Sequence, residues 1–588
     1  MRMSRKMNNR EIARLLRAIA AAYEIKGENR FRVMAYERAA AAVEHATSEI
    51  KDLWDDHKLA TLPGIGASLA GHLDELFRTG KVKHFQEVMR GLPPAMFEML
   101  EIPGVGAKTA YKLCQELGIK RAKTALAKLE KAAKKGKIRQ IEGFGEPSEK
   151  AILEGLKEQQ RREERMLLPF AWQLAEKIIA YMRKEKAVER IDPLGSLRRK
   201  AATVGDIDLA VVAKKPQKVI DHFIKFPEVR EVVAAGRNTA RIILNNGRQI
   251  DLKTQKLEAY GALLQHYTGS KHHNIRLREL AQKKGWSLSE YGIKKAKKLV
   301  EYSTEKEFYQ ALGMDWIPPE LREDAGEIEA AQQGKLPKLV EVEDIKGDLH
   351  LHSNFPIEES HDPGTQPMEE MIKRAAELGW QYLGFAEHNP SLSQHTKKEI
   401  LDLIKSKKEK IDKINYSRTK KVLKWVLNGL EIDIRPNGEL AIPEKGLIFL
   451  DYGVASIHSS FRMSRKKMTQ RVLKALEHPK IKILGHPTGR KLGQREGYEL
   501  DWDQIFDFCQ KKGKILEINA WPDRLDLPDV LVREAVKNGV KMVINTDSHA
   551  VDQMNLMIYG VSVARRGWAE KSDIINTLPW NKLKKFLF

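Results

Sequence analysis

From Lys346 onward, strand-like runs alternate with helical ones, and the strands end on polar residues: Gly347-Asp348-Leu349-His350-Leu351-His352, Leu383-Gly384-Phe385-Ala386-Glu387-His388, Asn428-Gly429-Leu430-Glu431, Ala455-Ser456-Ile457-His458, Ile483-Leu484-Gly485-His486, Leu516-Glu517-Ile518-Asn519 and Val543-Ile544-Asn545-Thr546-Asp547-Ser548-His549. This alternation is that of strands joined by helical crossovers, as in a β/α barrel. The carboxyl ends of barrel strands form the functional mouth, so these histidines and carboxylates would converge into a nitrogen- and oxygen-rich metal cluster.

A second carboxylate constellation lies upstream. In Gly205-Asp206-Ile207-Asp208-Leu209-Ala210-Val211-Val212 the apolar Ile207, Leu209 and Val211 alternate with Asp206 and Asp208. A strand here would bury one face and set both carboxylates on the other. Ile242-Ile243-Leu244, the turn Asn245-Asn246-Gly247 and Gln249-Ile250-Asp251-Leu252 read as a hairpin whose second strand could lie beside the first. Asp206, Asp208 and Asp251 then converge in a manner suited to Mg²⁺ and two-metal phosphoryl transfer. Gly195-Ser196, between a strand and a helix, would aim backbone N–H groups, the Ser196 hydroxyl and the Arg198 and Arg199 guanidiniums at a triphosphate. This constellation resembles the nucleotidyltransferase palm, and in particular the family X DNA polymerases.

The chain of 588 residues is too long for one core, and its net charge of +23 predicts a polyanionic partner, nucleic acid or an anionic membrane surface. No apolar run reaches the roughly 18 residues a membrane span requires, and the basic N-terminus lacks the apolar core of a signal peptide. A soluble, cytoplasmic protein is expected. Cys114 and Cys509 stand far apart, which excludes a disulfide scaffold or a cysteine zinc site.

Residues 9–50 read as amphipathic helices around the basic stretch Lys26-Gly27-Glu28-Asn29-Arg30-Phe31-Arg32. Leu62-Pro63-Gly64-Ile65-Gly66 and Ile102-Pro103-Gly104-Val105-Gly106 each precede a helical segment, with Ile141-Glu142-Gly143-Phe144-Gly145 as a degraded third copy. Such a tight turn exposes N–H groups that grip a DNA phosphate without reading sequence. The unit resembles the helix-hairpin-helix, with Gly64, Gly66, Gly104 and Gly106 as the DNA-contacting glycines.

After the palm, the stretch from Gly261 to Arg278 resembles the helix-turn-helix that family X polymerases place beside the nascent base pair. The resemblance implies that Tyr267 and Gly269 abut the sugar of the incoming nucleotide, Asn274 its minor-groove edge and Arg278 the template strand. Asn274 and Arg278, four apart, would share a helix face. It also assigns Gly195, Ser196, Arg199 and Gly205 to nucleotide binding, Asp206 and Asp208 to both metals, and Asp251 to activation of the primer 3′-hydroxyl.

The C-terminal pattern resembles the polymerase and histidinol phosphatase (PHP) domain, which holds up to three metals. The resemblance implies metal binding by His350, His352, His388, Glu431, His458, His486, Asp547 and His549. The family's Ser-Asp-Gly step is replaced by Ser360-His361-Asp362-Pro363-Gly364, where Asp362 is the expected ninth ligand. In His486-Pro487-Thr488-Gly489-Arg490 the arginine would hold a phosphate.

The expected fold is thus multidomain, α/β and α+β. It comprises a helical N-terminal domain (1–85) with the first hairpin unit, a fingers-like helical domain (86–160) with the second, the palm (161–255), a small thumb (256–315), a linker (316–344) and a PHP barrel of the (β/α)7 type (345–588). The order of these parts resembles bacterial and archaeal family X DNA polymerases. It implies filling of short gaps in gapped or nicked DNA with dNTPs and Mg²⁺, and a Mn²⁺- or Zn²⁺-dependent 3′–5′ exonuclease, 3′-phosphatase or abasic-site endonuclease, in a monomer. Where some members carry a Schiff-base lysine after the first hairpin, this chain has His72, so lyase activity there is expected to be weak or absent. Arg32, Lys81 and Lys83 are candidates for a 5′-phosphate pocket. The competing readings are a DNA-end binding scaffold with vestigial sites and a template-independent nucleotidyltransferase.

Overall fold

The computed structural model describes residues 9–587, apart from 45–53, 55–58, 60–64, 103, 163–164, 297, 358–361, 418–422 and 496. Two compact units result: Met1–Arg165 with Gly493–Arg495, and the remainder. Gly64 lies outside the described residues.

The first unit is helical. Helix Asn9–Ile25 buries Ile12, Leu16, Ile19 and Tyr23, a 3–4 spacing that makes one apolar face. That face packs with Tyr36 and Val43 of helix Arg30–Glu44 and Leu69, Leu73 and Leu76 of helix Ala67–Thr79. Gly66 and Gly106 are the extended residues that open helices Ala67–Thr79 and Ala107–Glu116. Gly104, at φ +79°, supplies the left-handed step that turns the second hairpin. A Cβ at Gly66, Gly104 or Gly106 would meet nothing within 4 Å.

In the second unit, a five-stranded sheet runs Arg190–Pro193, Ile207–Val212, Gln249–Gln255, Thr239–Leu244, Val229–Ala235. The Asn245-Asn246-Gly247 turn forms the expected hairpin, and its second strand pairs in parallel with Ile207–Val212, Asp208 opposite Asp251. The expected alternation of burial stops after Asp208. Leu209 and Val211 join the main core, while Ala210 and Val212 pack with Leu194, Tyr260, Leu263 and Leu264, so helix Tyr260–Thr268 covers the face read as open.

Helix Lys271–Lys283, a three-stranded antiparallel sheet and helix Glu305–Leu312 complete this part. The segment 316–344, expected as a linker, contains the short helix Glu327–Gln332 and is packed: Leu321, Arg322, Glu327 and Ile328 are buried. Its apolar residues share a cluster with Phe308, Tyr309 and Trp568.

Beyond it, among the described residues, the strands pair in parallel, in a three-stranded and a five-stranded sheet, with single antiparallel bridges between Ile434 and Leu440 and between Asn519 and Asp526. The strand expected through Asn428 and Glu431 is two strands, Trp425–Asn428 and Glu431–Asp433, which belong to different sheets. Single parallel bridges, Leu351 to Ser548 and His388 to Glu431, link the sheets. Residues on or beside these strands share a common cluster: Leu349, Tyr382, Ala386, Leu427, Val454, Ile483, Ile515 and Val543, with Leu583 and Leu587. The main core continues without a break from Met166 and from Leu252 of the palm's five-stranded sheet to Val340, Leu516 and Ile574. Among the described residues no helix is long and apolar enough to cross a membrane.

Candidate metal centres and nucleic-acid interface

Asp206 stands one residue before its strand, Asp208 within it and Asp251 on the neighbouring strand, and each offers a carboxylate oxygen within 4.8 Å of the others'. Asp251 is held by Arg241 Nε at 2.7 Å and Gln249 Nε2 at 2.7 Å. Burial, with Asp206 and Asp251 beside it, pushes the Asp208 carboxyl up to about 7. Carboxylates crowded to that degree fit a divalent, oxygen-preferring cation. Gly195 abuts them: at φ +57° its missing Cβ would lie 3.1 Å from Asp208 Oδ2.

The turn Gly195–Arg198 forms as expected, with Ser196 and the nearby Gly205 half-buried. Its arginines are not aimed at open space. Arg198 makes a bidentate pair with Glu305 at 2.9 and 2.6 Å, and Arg199 pairs with Glu323 at 2.9 Å and donates to Thr268 O at 2.5 Å. The reason is burial: covered by the helices after the palm, both guanidiniums find partners inside the chain.

Gly269 lies against Arg199, whose Nη1 would be 3.2 Å from a Cβ there. Tyr267 carries the Lys253 ammonium 4.4 Å from its ring centroid. Asn274 donates to His266 O at 2.7 Å and accepts from Gln265 at 2.8 Å, so its amide ties the two helices together rather than standing free. Arg278 is exposed.

In the helical unit Gly66, Gly104 and Gly106 are exposed, as are Arg32, Lys81 and Lys83. Arg32 pairs with Glu28 at 3.2 Å and lies 6.0 Å over the Tyr23 ring. His72 Nδ1 is 3.0 Å from the Tyr36 hydroxyl, and its ring stacks on His84 at 4.9 Å. Burial, then His84, lowers the His72 pKa.

The C-terminal cluster is built around Glu431. One carboxylate oxygen faces His388 Nδ1 at 2.9 Å, His350 Nε2 at 3.5 Å and His352 Nε2 at 3.7 Å; the other faces His486 Nε2 at 2.8 Å and His458 Nε2 at 3.3 Å. Asp547 Oδ1 lies 3.1 Å from His352 Nε2, and His549 stacks on His352 at 4.1 Å. Three ligand-like groups result: His352, His388 and His549; His350, His352 and Asp547; His388, Glu431 and His458.

Buried His486 Nδ1 and His549 Nε2 find no hydrogen-bond partner among the described residues, while His350 Nε2 and His352 Nε2 face carboxylate oxygens at 3.5 and 3.1 Å. Burial opposes ionisation of Glu431, yet His458, His388 and His350 hold its carboxyl well below the usual range. Burial, aided by Arg524, pushes His486 down to about 4. Unpartnered imidazole nitrogens around ionised carboxylates are a donor set that fits divalent transition metals. His486 (φ +27°) and Asp547 (φ +55°) hold backbone conformations that side chains rarely adopt, strain of the kind stored at functional sites.

Two expected site residues stand apart from these groups. Asp362 is exposed and lines a small cleft with His352, Glu387 and His388, but belongs to none of the three groups. Arg490 turns its half-buried guanidinium to the carbonyls of Arg524 and Leu525, where a partly desolvated cation finds acceptors. The arginine that reaches the cluster is Arg524, whose Nε is 3.8 Å from Asp547 Oδ2. Sequence reasoning missed it, and missed the residues that orient the ligands: Glu517 accepts at 2.7 Å from His350 Nδ1, and Asp433 lies 2.6 Å from His458 Nδ1. Glu517 stands in a strand-end run, but no histidine follows to draw notice.

Family models match along the chain: a helix-hairpin-helix domain at residues 7–82, a SAM-like helix-hairpin-helix tandem at 97–158, a DNA polymerase beta thumb at 263–323 and a PHP domain at 348–520. A DNA polymerase/3′-5′ exonuclease PolX of Bacillus subtilis is 33% identical over 590 residues, covering 99% of each chain. The chain belongs to the family X DNA polymerases that carry a PHP domain. Other family X similarity is more local: a repair DNA polymerase X of African swine fever virus is 29% identical over 23% of this chain and 82% of its own. A probable phosphatase of Clostridium acetobutylicum is 31% identical over 34% of this chain and 78% of its own.

Proposed function

We propose that the chain is a template-directed DNA polymerase that fills short gaps during repair, with a metal-dependent 3′–5′ exonuclease in its C-terminal domain. The carrying observation is the convergence of Asp206, Asp208 and Asp251 beside Gly195 in a chain that aligns end to end with a polymerase/exonuclease.

In this reading Asp206 and Asp208 would hold two Mg²⁺ ions, which would supply acidification of the primer 3′-hydroxyl and offset of phosphate charge, and Asp251 would help to activate that hydroxyl. Gly195, Ser196 and Gly205 leave room for the triphosphate, and Arg199 exchanges Glu323 for a phosphate. Arg198 is instead assigned to holding the thumb, through Glu305. Tyr267 and Gly269 flank the sugar, Asn274 supports the helix that carries Tyr267, and Arg278 meets the template. Gly64, Gly66, Gly104 and Gly106 receive DNA phosphates, and the open space over three of them supports a close backbone approach. Arg32, Lys81 and Lys83 would hold a 5′-phosphate.

In the C-terminal domain, His350, His352, His388, Glu431, His458, His486, Asp547 and His549 would hold up to three Mn²⁺ or Zn²⁺ ions, which activate water against a phosphoester. Asp362 closes one site from the rim, and Arg524 steadies the scissile phosphate. The same chemistry extends to 3′-phosphates and abasic sites. The protein is assigned to the cytoplasm as a monomer.

The test is extension and degradation of a labelled primer in a 5′-phosphorylated gap, in Mg²⁺ and in Mn²⁺. Asp206→Ala/Asp208→Ala protein loses extension alone, and His350→Ala/His352→Ala protein loses degradation alone. Absence of both activities from the wild type would give the lead to a DNA-end binding scaffold.

A further inference from the structure

The phosphate-binding turn of the palm is held by a residue of the PHP domain. Helix Met557–Arg566 ends on Arg566, whose side chain is 11% exposed. Its Nε and Nη2 grip Asp529 at 2.7 and 2.6 Å, on the same domain. Its Nη1 points the other way, donating to Glu323 Oε1 at 2.9 Å and to the main-chain oxygen of Arg199 at 2.9 Å. Arg199 Nε donates to that same Glu323 oxygen at 2.9 Å.

We propose that Arg566 is a positioning residue for the incoming nucleotide, acting through Arg199 across the boundary between the two catalytic domains. The inference rests on the reading of Gly195–Arg199 as the triphosphate turn. Two effects act together. The bond to the Arg199 carbonyl fixes the residue that caps the four-residue turn Gly195–Arg198, whose first residue, Gly195, would bring a Cβ to 3.1 Å from Asp208 Oδ2. The shared Glu323 oxygen also divides one carboxylate between two guanidiniums, so Arg199 is held in place without being fully neutralised and can transfer to a phosphate. Without Arg566, Glu323 pairs with Arg199 alone and the carbonyl loses its donor. Both changes weaken nucleotide binding and leave the chemical step to the carboxylates.

The experiment uses the full chain, a one-nucleotide gap with a 5′-phosphate, and a dNTP titration. Arg566→Ala is expected to raise KM for dNTP about tenfold while kcat stays within about twofold. Arg566→Lys, which keeps a charge and a donor, recovers part of the loss. Primer degradation by the same proteins in Mn²⁺ is unchanged, because Arg566 touches none of the PHP ligands. A wild-type KM in Arg566→Ala overturns the inference. If Arg566→Ala melts early or loses degradation, Arg566→Lys is decisive: a KM equal to wild type overturns the inference, and a raised KM at wild-type kcat and melting temperature supports it. A wild type that never extends the primer refutes the polymerase reading itself, a separate outcome.

Discussion

Asp208 faces Asp251 across a parallel ladder, directly in register, and burial with two neighbouring carboxylates pushes its own carboxyl up to about 7. Crowding of this kind destabilises the metal-free protein and is the condition for metal binding.

Asp208→Asn should therefore lower extension on the order of 10³-fold. In EDTA it should stabilise the fold by about 1–2 kcal/mol, because a repulsive charge is gone. Raised melting temperature together with lost extension checks both halves at once.

Glu305 is buried between Arg198 and Arg322, at 2.6 Å from each. Burial would raise its pKa, but the two guanidiniums hold it down at about 2. A depressed carboxyl stabilises above its unfolded pKa, so this contribution is complete above about pH 4.5 and is lost as pH falls toward 2. Glu305→Gln should cost about 3–5 kcal/mol at pH 7 by leaving buried guanidiniums short of a partner. The difference between variant and wild type should shrink at pH 3, as measured by denaturation midpoints.

Asp433 meets the metal cluster at His458 Nδ1, 2.6 Å from its carboxylate. Asp433→Asn is expected to weaken retention of one PHP metal about 10- to 100-fold. Metal content after dialysis against a graded chelator measures it, and gap filling in Mg²⁺ should persist.

Arg524 and Arg490 should separate cleanly. Arg524→Ala keeps its metals and loses degradation about 10²-fold, as expected when a cation beside the transferring group is removed. Arg490→Ala leaves the carbonyls of Arg524 and Leu525 without their donor and lowers the melting temperature, at about 1–3 kcal/mol for each.

His72 has no primary amine, so borohydride should trap no adduct at this position on a 5′-deoxyribose phosphate end. Strong trapping abolished by replacing a lysine elsewhere would locate a lyase at that lysine.

Much of this was legible because it is local or periodic. The Asn245-Asn246-Gly247 turn announces a hairpin and sets the register of its two strands, whereas the parallel pairing that places Asp251 beside Asp208 joins distant segments. The histidines of the PHP cluster stand at strand ends, so period and spacing reveal them without tertiary knowledge. The outcomes that differed depend on contacts between distant segments. Arg199 and Glu323 lie in different parts of the chain, and nothing near either residue shows that they pair. Arg490 looked like a phosphate ligand because it follows His486 closely, yet burial turned it to backbone carbonyls. The face of Ala210 and Val212 looked open because the helix that covers it begins at Tyr260.

The apolar core that runs unbroken from the palm into the PHP domain bears on how such chains can be shortened. Cutting after the thumb would leave the palm with a greasy scar where the nuclease had been, prone to self-association. Losing the nuclease by truncation would thus demand new polar residues along that seam, whereas losing it by point substitution at Glu431 would leave the seam intact. Decay of the second activity is accordingly easier than its deletion, and an inert PHP domain could persist as the floor on which the polymerase stands.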